Sequence, residues 1–152
     1  MGVSEFQRVL ATLRLVVLDT MVFSYHLFGH PRYVELTSAV LDAIEAGRVG
    51  GLVTTVTLAE ILTVPAKAND PAALQEYRLY LTQFPNLRMA ALDVALAAET
   101  ATVRAETGLR TPDAVQVAAA RVFGADAIIT NDRRWAGRVL RPALVMLDDY
   151  AA

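Results

Sequence analysis

The run Leu15-Val16-Val17-Leu18 is the stretch that decides the fold, and Asp19-Thr20 follow it directly. Four consecutive apolar residues are typical of a short strand that is covered on both faces, as in a parallel sheet. Four further short runs are strand candidates, over residues 51–54, 87–92, 127–130 and 144–147.

Helical patterns occupy the segments between these strands, over residues 34–46, 56–64, 71–84, 94–107 and 112–123. We expect Pro65 to end the second of these helices, and Gly108 and Gly124 to end the last two. Apolar residues also recur at helical spacing over 6–13, which predicts a short amphipathic helix before the first strand. Strands and helices that alternate in this way indicate a parallel sheet with helices on both faces.

The composition is that of a chain that folds around one core. Of 152 residues, 55% are hydrophobic and 20% are charged, which suits a single domain and excludes a disordered chain. The longest stretch without a charged residue spans 20–31, whereas a membrane-spanning helix needs about 20 residues. Glu5, Arg8 and Arg14 interrupt any apolar run that could act as a secretory signal. We therefore expect a soluble cytoplasmic protein with no membrane partner.

Cysteine content and charge narrow the chemistry. The sequence has no cysteine, which excludes disulfides, thiolate metal ligands and thiol nucleophiles. With 14 basic and 16 acidic residues the net charge is −2. Any contact with nucleic acid must therefore rest on a local basic patch.

Acidic residues follow three of the predicted strands. Asp19 follows the first, Glu60 lies about one turn into the helix after the second, and Asp132 follows the fourth. Because the carboxyl ends of parallel strands share one edge of the sheet, these three acids are expected at that edge. A fourth acid, Asp113, joins them only if its helix starts there.

Each acid also has a purely structural interpretation. Caps and turns use these residue types often. The interpretations are a capping box over 57–60, a helix start over 111–113, a cap at Asn131 or Asp132, and a turn at Asp19-Thr20.

Taken together, four carboxylates in one place would be costly. At about 5–6 Å and an effective dielectric of about 20, each pair repels by about 3 kcal/mol. Such a cluster persists only with bound protons, nearby cations or a divalent metal. Oxygen ligands select hard ions, so Mg²⁺ or Mn²⁺ is expected rather than Zn²⁺. A hard ion beside a cleft suits phosphoryl chemistry, because it activates water and stabilises charge on a phosphate.

Four segments in this order resemble the PIN-domain pattern, over residues 16–20, 54–60, 111–114 and 129–135. The resemblance is closest to the small ribonucleases that act as toxins in bacterial toxin–antitoxin pairs, the VapC type, and it covers residues 15–150. It implies an α/β fold, a three-layer α/β/α sandwich with a five-stranded parallel sheet. Residues 1–14 would then be an N-terminal extension.

The resemblance also implies a Mg²⁺- or Mn²⁺-dependent endoribonuclease. Its catalytic and metal-binding acids would be Asp19, Glu60, Asp113 and Asp132. Of these, Asp19 and Asp132 would bind the metal directly, and Glu60 and Asp113 would complete the site or hold its waters. The resemblance further implies an RNA substrate, a cognate antitoxin protein and a homodimer.

Polar residues next to these acids are predicted to orient the carboxylates by hydrogen bonds; they are Thr20, Thr130 and Asn131. This chain departs from the family two residues after the first aspartate, where the family usually has Asn or Ser. Here the residue is Met21. A thioether cannot replace an amide or hydroxyl donor, so one supporting hydrogen bond is expected to be lost.

Three arginines adjoin the acids in sequence and are the predicted RNA contacts: Arg110, Arg133 and Arg134. Guanidinium forks match the oxygens of a phosphate. The alternative is that these arginines balance local carboxylates or face solvent. Trp135 is expected in the core rather than stacked on a base.

Two other patterns have structural explanations. His26 and His30 stand at a spacing that binds zinc on a helix, but Gly29 and Pro31 argue against a continuous helix there. An apolar stripe over 74–84, made of Leu74, Tyr77, Leu81 and Phe84, is expected to face the core. By resemblance, the helical pair in this region supports a dimer and receives part of the antitoxin.

Two other functions stay open at this point. A phospho-acceptor or phosphatase domain would need a second acid beside Asp19 or a lysine late in the chain, and the only lysine is Lys67. A non-catalytic PIN-like binding module is the second, and Met21 favours it.

Overall fold

The computed structural model describes residues 2–152 and contains one parallel sheet of five strands. The strand order is β3-β2-β1-β4-β5, and each neighbouring pair is parallel. The strands are β1 (Leu15–Leu18), β2 (Gly50–Thr54), β3 (Leu87–Ala90), β4 (Ala127–Thr130) and β5 (Ala143–Met146). The five strand predictions are confirmed to within a few residues at their ends.

Helices precede, connect and cover these strands. They are α1 (Val3–Leu10), α2 (Thr20–Leu27), α3 (Val34–Glu45), α4 (Thr55–Lys67), α5 (Pro71–Gln83), α6 (Val94–Thr107) and α7 (Thr111–Phe123). Short 3₁₀ turns over Arg133–Trp135 and Leu147–Asp149 follow β4 and β5. Within residues 2–152, none of these helices has the length and apolarity that crossing a bilayer requires.

Two hydrophobic layers sandwich the sheet. On β1, Val16 and Leu18 belong to one cluster, which contains residues of α1 to α5. Val17 points into the other cluster, with residues of α6 and α7. This alternation follows from the two-residue period of a strand. The predicted α/β/α sandwich is therefore confirmed.

The first helix is part of the larger cluster. Phe6 and Leu10 of α1 are buried against it, because the apolar residues of this helix fall on one face. That residues 1–14 form an extension to a domain over 15–150 stays a prediction.

Two boundaries differ from the sequence predictions. A turn at Asp19-Thr20 was the structural interpretation of that pair, yet α2 starts at Thr20, and Asp19 caps it. Pro65 was expected to end its helix, yet α4 continues to Lys67. Pro65 lies in the last turn, where one backbone bond is lost, and its ring is buried. As predicted, Gly108 and Gly124 end α6 and α7 in the left-handed conformation, each at φ +70°.

Candidate active site

The four predicted acids lie near the carboxyl ends of β1 and β4, the two adjacent strands between which the strand order changes direction. Strands β1 and β4 are neighbours at the centre, and the connections from them run to opposite edges. Ligands of open α/β sheets bind at the carboxyl ends of such strands. Asp19 comes directly after β1, and Asp132 comes two residues after β4.

Asp19 is the buried member of the set, with 4% of its surface exposed. Its Oδ1 accepts a hydrogen bond from the backbone N–H of Thr20 at 2.7 Å. Its Oδ2 accepts one from the hydroxyl of Thr130, also at 2.7 Å. Burial raises the pKa of this carboxyl to about 6, although hydrogen bonds from Thr130 and Gln116 oppose the rise. The protein therefore holds a carboxylate that is costly to ionise.

Gln116 is a residue of this site that the sequence analysis missed. It lies on the buried face of α7 with 1% exposure, and its side chain lies close enough to Asp19 to lower the pKa of that carboxyl. Its Oε1 has no hydrogen-bond partner among residues 2–152. A signal was available, since Gln116 is the one polar side chain in an otherwise apolar run over 114–120.

Glu60 reaches the site from the second turn of α4. Its Oε1 accepts a hydrogen bond from the hydroxyl of Thr20 at 2.7 Å, and that hydroxyl also lies 3.0 Å from the hydroxyl of Thr57. The capping-box interpretation is wrong, because Thr54 caps α4 by accepting from the N–H of Thr57. Glu60 therefore does not cap the start of its helix, and its carboxylate is directed to Thr20 instead.

Asp113 lies in the first turn of α7, whose start adjoins the other acids. Burial raises its pKa first, and the charges of Asp132 and Glu60 raise it further. The charge of Asp113 in turn raises the pKa of Asp19. Thr111 is not the cap of this helix, since Arg110 holds that position without a side-chain bond. Each of the other three acids thus lies within electrostatic reach of Asp113.

Asp132 differs from the other three because an arginine holds it. The guanidinium of Arg134 donates from Nε to Oδ1 at 3.0 Å and from Nη2 to Oδ2 at 2.6 Å. This fork lowers the pKa of Asp132. Asp132 also caps the 3₁₀ turn by accepting from the backbone N–H of Arg134. The predicted capping role and the cluster role therefore coexist in one residue.

The donor set fits a hard metal ion in its chemistry. All candidate ligands are oxygens, one carboxylate is buried, and a buried amide oxygen of Gln116 lacks a partner. As they stand, no three acidic or histidine side chains within residues 2–152 are grouped closely enough to share an ion. The fork from Arg134 on Asp132 is the contact that a metal would have to share or replace.

The residues predicted to orient the carboxylates divide into two groups. The hydroxyl of Thr20 donates to Glu60 and the hydroxyl of Thr130 donates to Asp19, as described above. The prediction for Asn131 is wrong: its Oδ1 accepts from the backbone N–H of Asp148 at 2.8 Å, and its Nδ2 donates to the hydroxyl of Tyr25 at 3.4 Å. The side chain is occupied by these partners and contacts none of the four acids.

Met21 has a structural role in place of the missing donor. Its Sδ accepts from the backbone N–H of Asn131 at 3.0 Å. A thioether is a weak acceptor, yet this contact ties α2 to the loop after β4. The expected loss of a donor is thus accompanied by a different contact at the same place.

Arg133 faces away from the acid cluster. Its Nη2 donates to Asp149 at 3.0 Å, and its Nε lies 3.9 Å from Asp148. Both partners belong to the turn after β5. Arg133 therefore balances local carboxylates, which was the alternative to its predicted contact with RNA.

Most of the remaining sequence features have the structural explanations expected for them. Trp135 is fully buried. His26 lies in α2, which ends at Leu27 before His30, so no continuous helix carries both histidines. His26 contacts the hydroxyl of Thr37 at 3.2 Å. In the stripe over 74–84, Leu81 is buried in the core and Tyr77 and Phe84 pack against it, whereas Leu74 is half-buried and belongs to neither hydrophobic cluster.

Comparison with known proteins identifies the family. The protein-family model of the PIN domain matches residues 16–138. The chain therefore belongs to the PIN-domain family. No curated protein matches it in sequence.

Solved structures share the fold at low sequence identity. The structure of VapBC2 from Rickettsia felis bound to a promoter DNA fragment contains a chain with a TM-score of 0.68 and 16% identity, covering 87% of this chain and 98% of that one. A chain of FitAcB from Neisseria gonorrhoeae has a TM-score of 0.66 and 23% identity, covering 87% of this chain and 97% of that one. A chain of DNA-bound VapBC from Salmonella typhimurium has a TM-score of 0.67 and 16% identity, covering 88% of this chain and 98% of that one.

Proposed function

We propose that the protein is a Mg²⁺- or Mn²⁺-dependent endoribonuclease whose active site is the acid cluster of Asp19, Glu60, Asp113 and Asp132. One observation carries the proposal: a buried carboxylate with a raised pKa stands at the carboxyl ends of the central strands, and the charges of further acids act on the same site. A carboxylate whose pKa is shifted by burial and by a neighbouring charge, at an edge where ligands bind, is a candidate for a functional site. PIN-domain proteins are typically nucleases.

The metal would be held by Asp19 and Asp132 directly, with Glu60 and Asp113 completing its surroundings. When bound, a hard ion lowers the pKa of a water and stabilises negative charge on a phosphate. Thr130 and Thr20 hold the carboxylates of Asp19 and Glu60 in place, which reduces the reorganisation that binding requires.

Proton transfer is assigned to Asp113. Its raised pKa makes its carboxylate a better acceptor of a water proton than an exposed aspartate would be. Arg110 and Arg134 flank it and are the proposed contacts to RNA phosphates. Arg133 is left out of this interface, because its carboxylate partners hold it elsewhere.

The test compares matched aspartate substitutions in RNA cleavage with Mn²⁺ and with EDTA. Asp113→Asn is expected to reduce cleavage by at least about a hundredfold, as loss of an acid–base group does. Asp70→Asn is the control, since Asp70 only caps α5 and Asn caps equally well. Cleavage that persists in EDTA and in Asp113→Asn would contradict the proposal.

A non-catalytic binding module is the second candidate, and one observation favours it. The fork from Arg134 already neutralises Asp132, so the cluster can exist without a metal on that side. This candidate expects a folded protein that shows no Mn²⁺ binding by calorimetry and no cleavage. Saturable Mn²⁺ binding that Asp19→Asn removes would exclude it.

We further propose that the protein is the toxin of a toxin–antitoxin pair, acting on cytoplasmic RNA as a homodimer. The folds it resembles come from VapBC and FitAcB structures, and one further similar structure is described as a toxin–antitoxin complex from Klebsiella pneumoniae. Light scattering at tens of micromolar protein tests the dimer, and a monomer there would contradict it. Growth arrest on expression, relieved by the cognate antitoxin, tests the pairing.

A further inference from the structure

A groove beside the acid cluster is lined by three arginines. It lies between the start of α7 and the 3₁₀ turn after β4, and its volume is about 210 Å³. The arginines are Arg110, Arg134 and Arg138, and Asp113 and Trp135 line the same groove. A water takes up about 30 Å³ in the liquid, so the groove has room for a phosphate group and several waters.

Positive charge exceeds negative charge in this groove. Neither Arg110 nor Arg138 forms an ion pair with any part of the chain that the structure describes. Asp113 is the single acid that lines it. This excess stands out in a chain whose net charge is −2. Local positive potential of this kind attracts anions even when the whole protein is acidic.

Arg134 connects the groove to the acid cluster. Its Nε and Nη2 donate to Asp132, and its Nη1 takes no part in that fork. The side chain is 71% exposed. One guanidinium can therefore hold Asp132 with one edge and offer donors to the groove with another.

Arg138 and Trp135 come from the same turn after β4. The Nη1 atom of Arg138 lies 3.8 Å from the position that a Cβ at residue 108 would take, so its guanidinium lies over the turn at Gly108 that leads to α7. Trp135 is fully buried, and its indole N–H has no acceptor within residues 2–152. The donors that the groove offers are therefore the guanidinium groups of its three arginines, and Asp113 is its one acidic acceptor, which is the reverse of the acid cluster next to it.

We infer that this groove is a subsite for a backbone phosphate of the RNA, next to the phosphate that is cut, and that Arg138 contacts it together with Arg110 and Arg134. Cleavage of the neighbouring phosphate rests on the proposed function, whereas phosphate binding in the groove does not require cleavage. Three guanidinium groups that converge on one concave surface match phosphate oxygens, and lysines or neutral residues would not give the same fork geometry.

The test measures binding without catalysis. A fluorescein-labelled, unstructured ten-nucleotide RNA is titrated with protein in EDTA, and the affinity is followed by anisotropy over a range of salt concentrations. Each phosphate contact on a single strand contributes about 0.7 to the slope of log affinity against log salt. Arg138→Gln is expected to lower that slope by about 0.7 and to weaken binding at low salt.

Arg48→Gln is the matched control. Arg48 is exposed and lies two residues before β2, at the amino ends of the strands, whereas the groove lies at their carboxyl ends. Its substitution removes the same charge. It is expected to leave the slope unchanged. Arg138→Lys keeps the charge without the fork, so its slope should stay near that of the parent while its affinity falls. Should Arg138→Gln fail to fold by circular dichroism, Arg110→Gln provides the same measurement.

The outcomes separate this inference from the proposed nuclease. If Mn²⁺-dependent cleavage is normal but Arg138→Gln and Arg110→Gln bind RNA with the parent slope, the subsite is wrong and the nuclease stands. If the groove variants lose the slope and no cleavage is found, the subsite stands without the nuclease. DNA of the same sequence should show the same loss, and a loss confined to RNA would overturn the assignment to phosphate.

Discussion

Two aspartates stand at opposite ends of the same pair of strands, and their surroundings shift their pKa values in opposite directions. Asp19 follows the carboxyl end of β1, and burial raises its pKa to about 6. Asp126 precedes the amino end of β4, where its Oδ2 accepts from the backbone N–H groups of Arg14 at 2.7 Å and Leu15 at 3.2 Å. These two donors lower the pKa of Asp126.

Hydrogen bonds alone do not explain the difference, since both carboxylates accept two or more. The difference is that Asp19 is buried and near another acid, whereas Asp126 is partly exposed and has Arg14 nearby. Asp126 accepts hydrogen bonds from two backbone N–H groups at the start of β1, and these bonds stabilise its ionised form. Asp19 is held ionised against a cost, and residues held in that way are candidates for function rather than for stability.

The largest expected effect of this difference is on RNA cleavage. Asp19→Asn removes the buried charge that the proposed metal site requires, and cleavage in Mn²⁺ should fall by at least about a hundredfold. Asp126→Asn should leave the rate unchanged, because its carboxylate lies at the other end of the strands. If both variants lost the same amount of cleavage activity on one labelled RNA, the carboxyl ends of the strands would not be distinguished as the active site.

The second effect is on the free energy of unfolding: Asp19→Asn, which should lose cleavage activity, should gain stability. The folded-state pKa of Asp19 is above its ordinary value of 3.8, so the folded protein binds more protons than the unfolded chain between pH 3.8 and about 6. Stability contributed by the protonated form is therefore lost as pH rises through that window. At pH 7.5 Asp19→Asn should be more stable than the parent by up to about 3 kcal/mol, since each pKa unit is worth about 1.4 kcal/mol.

Urea denaturation in EDTA across pH 4 to 8 measures this effect. The decline in stability with rising pH should be smaller in Asp19→Asn, and it should not vanish, because the pKa of Asp113 is raised as well. A variant that is no more stable than the parent at pH 7.5 would show that Asp19 is not held against a cost.

The third effect concerns the hydroxyl that supports Asp19. Thr130 donates to Asp19 at 2.7 Å and opposes the rise in its pKa. Thr130→Val should cost about 2 kcal/mol at pH 7.5, the range for a hydrogen bond to a charged group, and should raise the pKa of Asp19 above about 6 in an NMR titration. Thr130→Ser keeps the hydroxyl and should restore both values; a serine variant as impaired as the valine variant would contradict this role.

The sequence predicts the sheet well because the strand signals are local. The run Leu15-Val16-Val17-Leu18 is apolar on both faces, and Gly108 and Gly124 mark helix ends that need the left-handed conformation. Three of the four acids follow from the rule that parallel strands share a carboxyl edge. Asp113 required the structure, since only the position of α7 relative to the sheet brings it to that edge.

Other features have no local signal. Every residue of helix α2 is buried or half-buried, so it lacks the exposed polar face by which a surface helix is recognised. The fork between Arg134 and Asp132 joins two residues that are two positions apart, and it forms only because both side chains turn towards each other. Arg138 lies four residues after Arg134, but Gly137 at φ +79° breaks the helix that this spacing would suggest. Burial decides the first of these cases, and side-chain and backbone conformation decide the other two; a single sequence reveals none of them.

The smallest expected effect tests the structural side of the comparison. The folded-state pKa of Asp126 is lowered, so this carboxylate contributes stability above pH 3.8 that is lost as pH falls through its folded-state pKa. Asp126→Asn should lower stability at pH 7 by about 1 kcal/mol or less, because the site is partly exposed and an amide oxygen still accepts one bond. The difference from the parent should shrink towards pH 3 in the same urea measurement. A gain in stability at pH 7 would mean that Asp126, like Asp19, is ionised at a cost, and the contrast between the two ends of the strands would no longer single out the acid cluster.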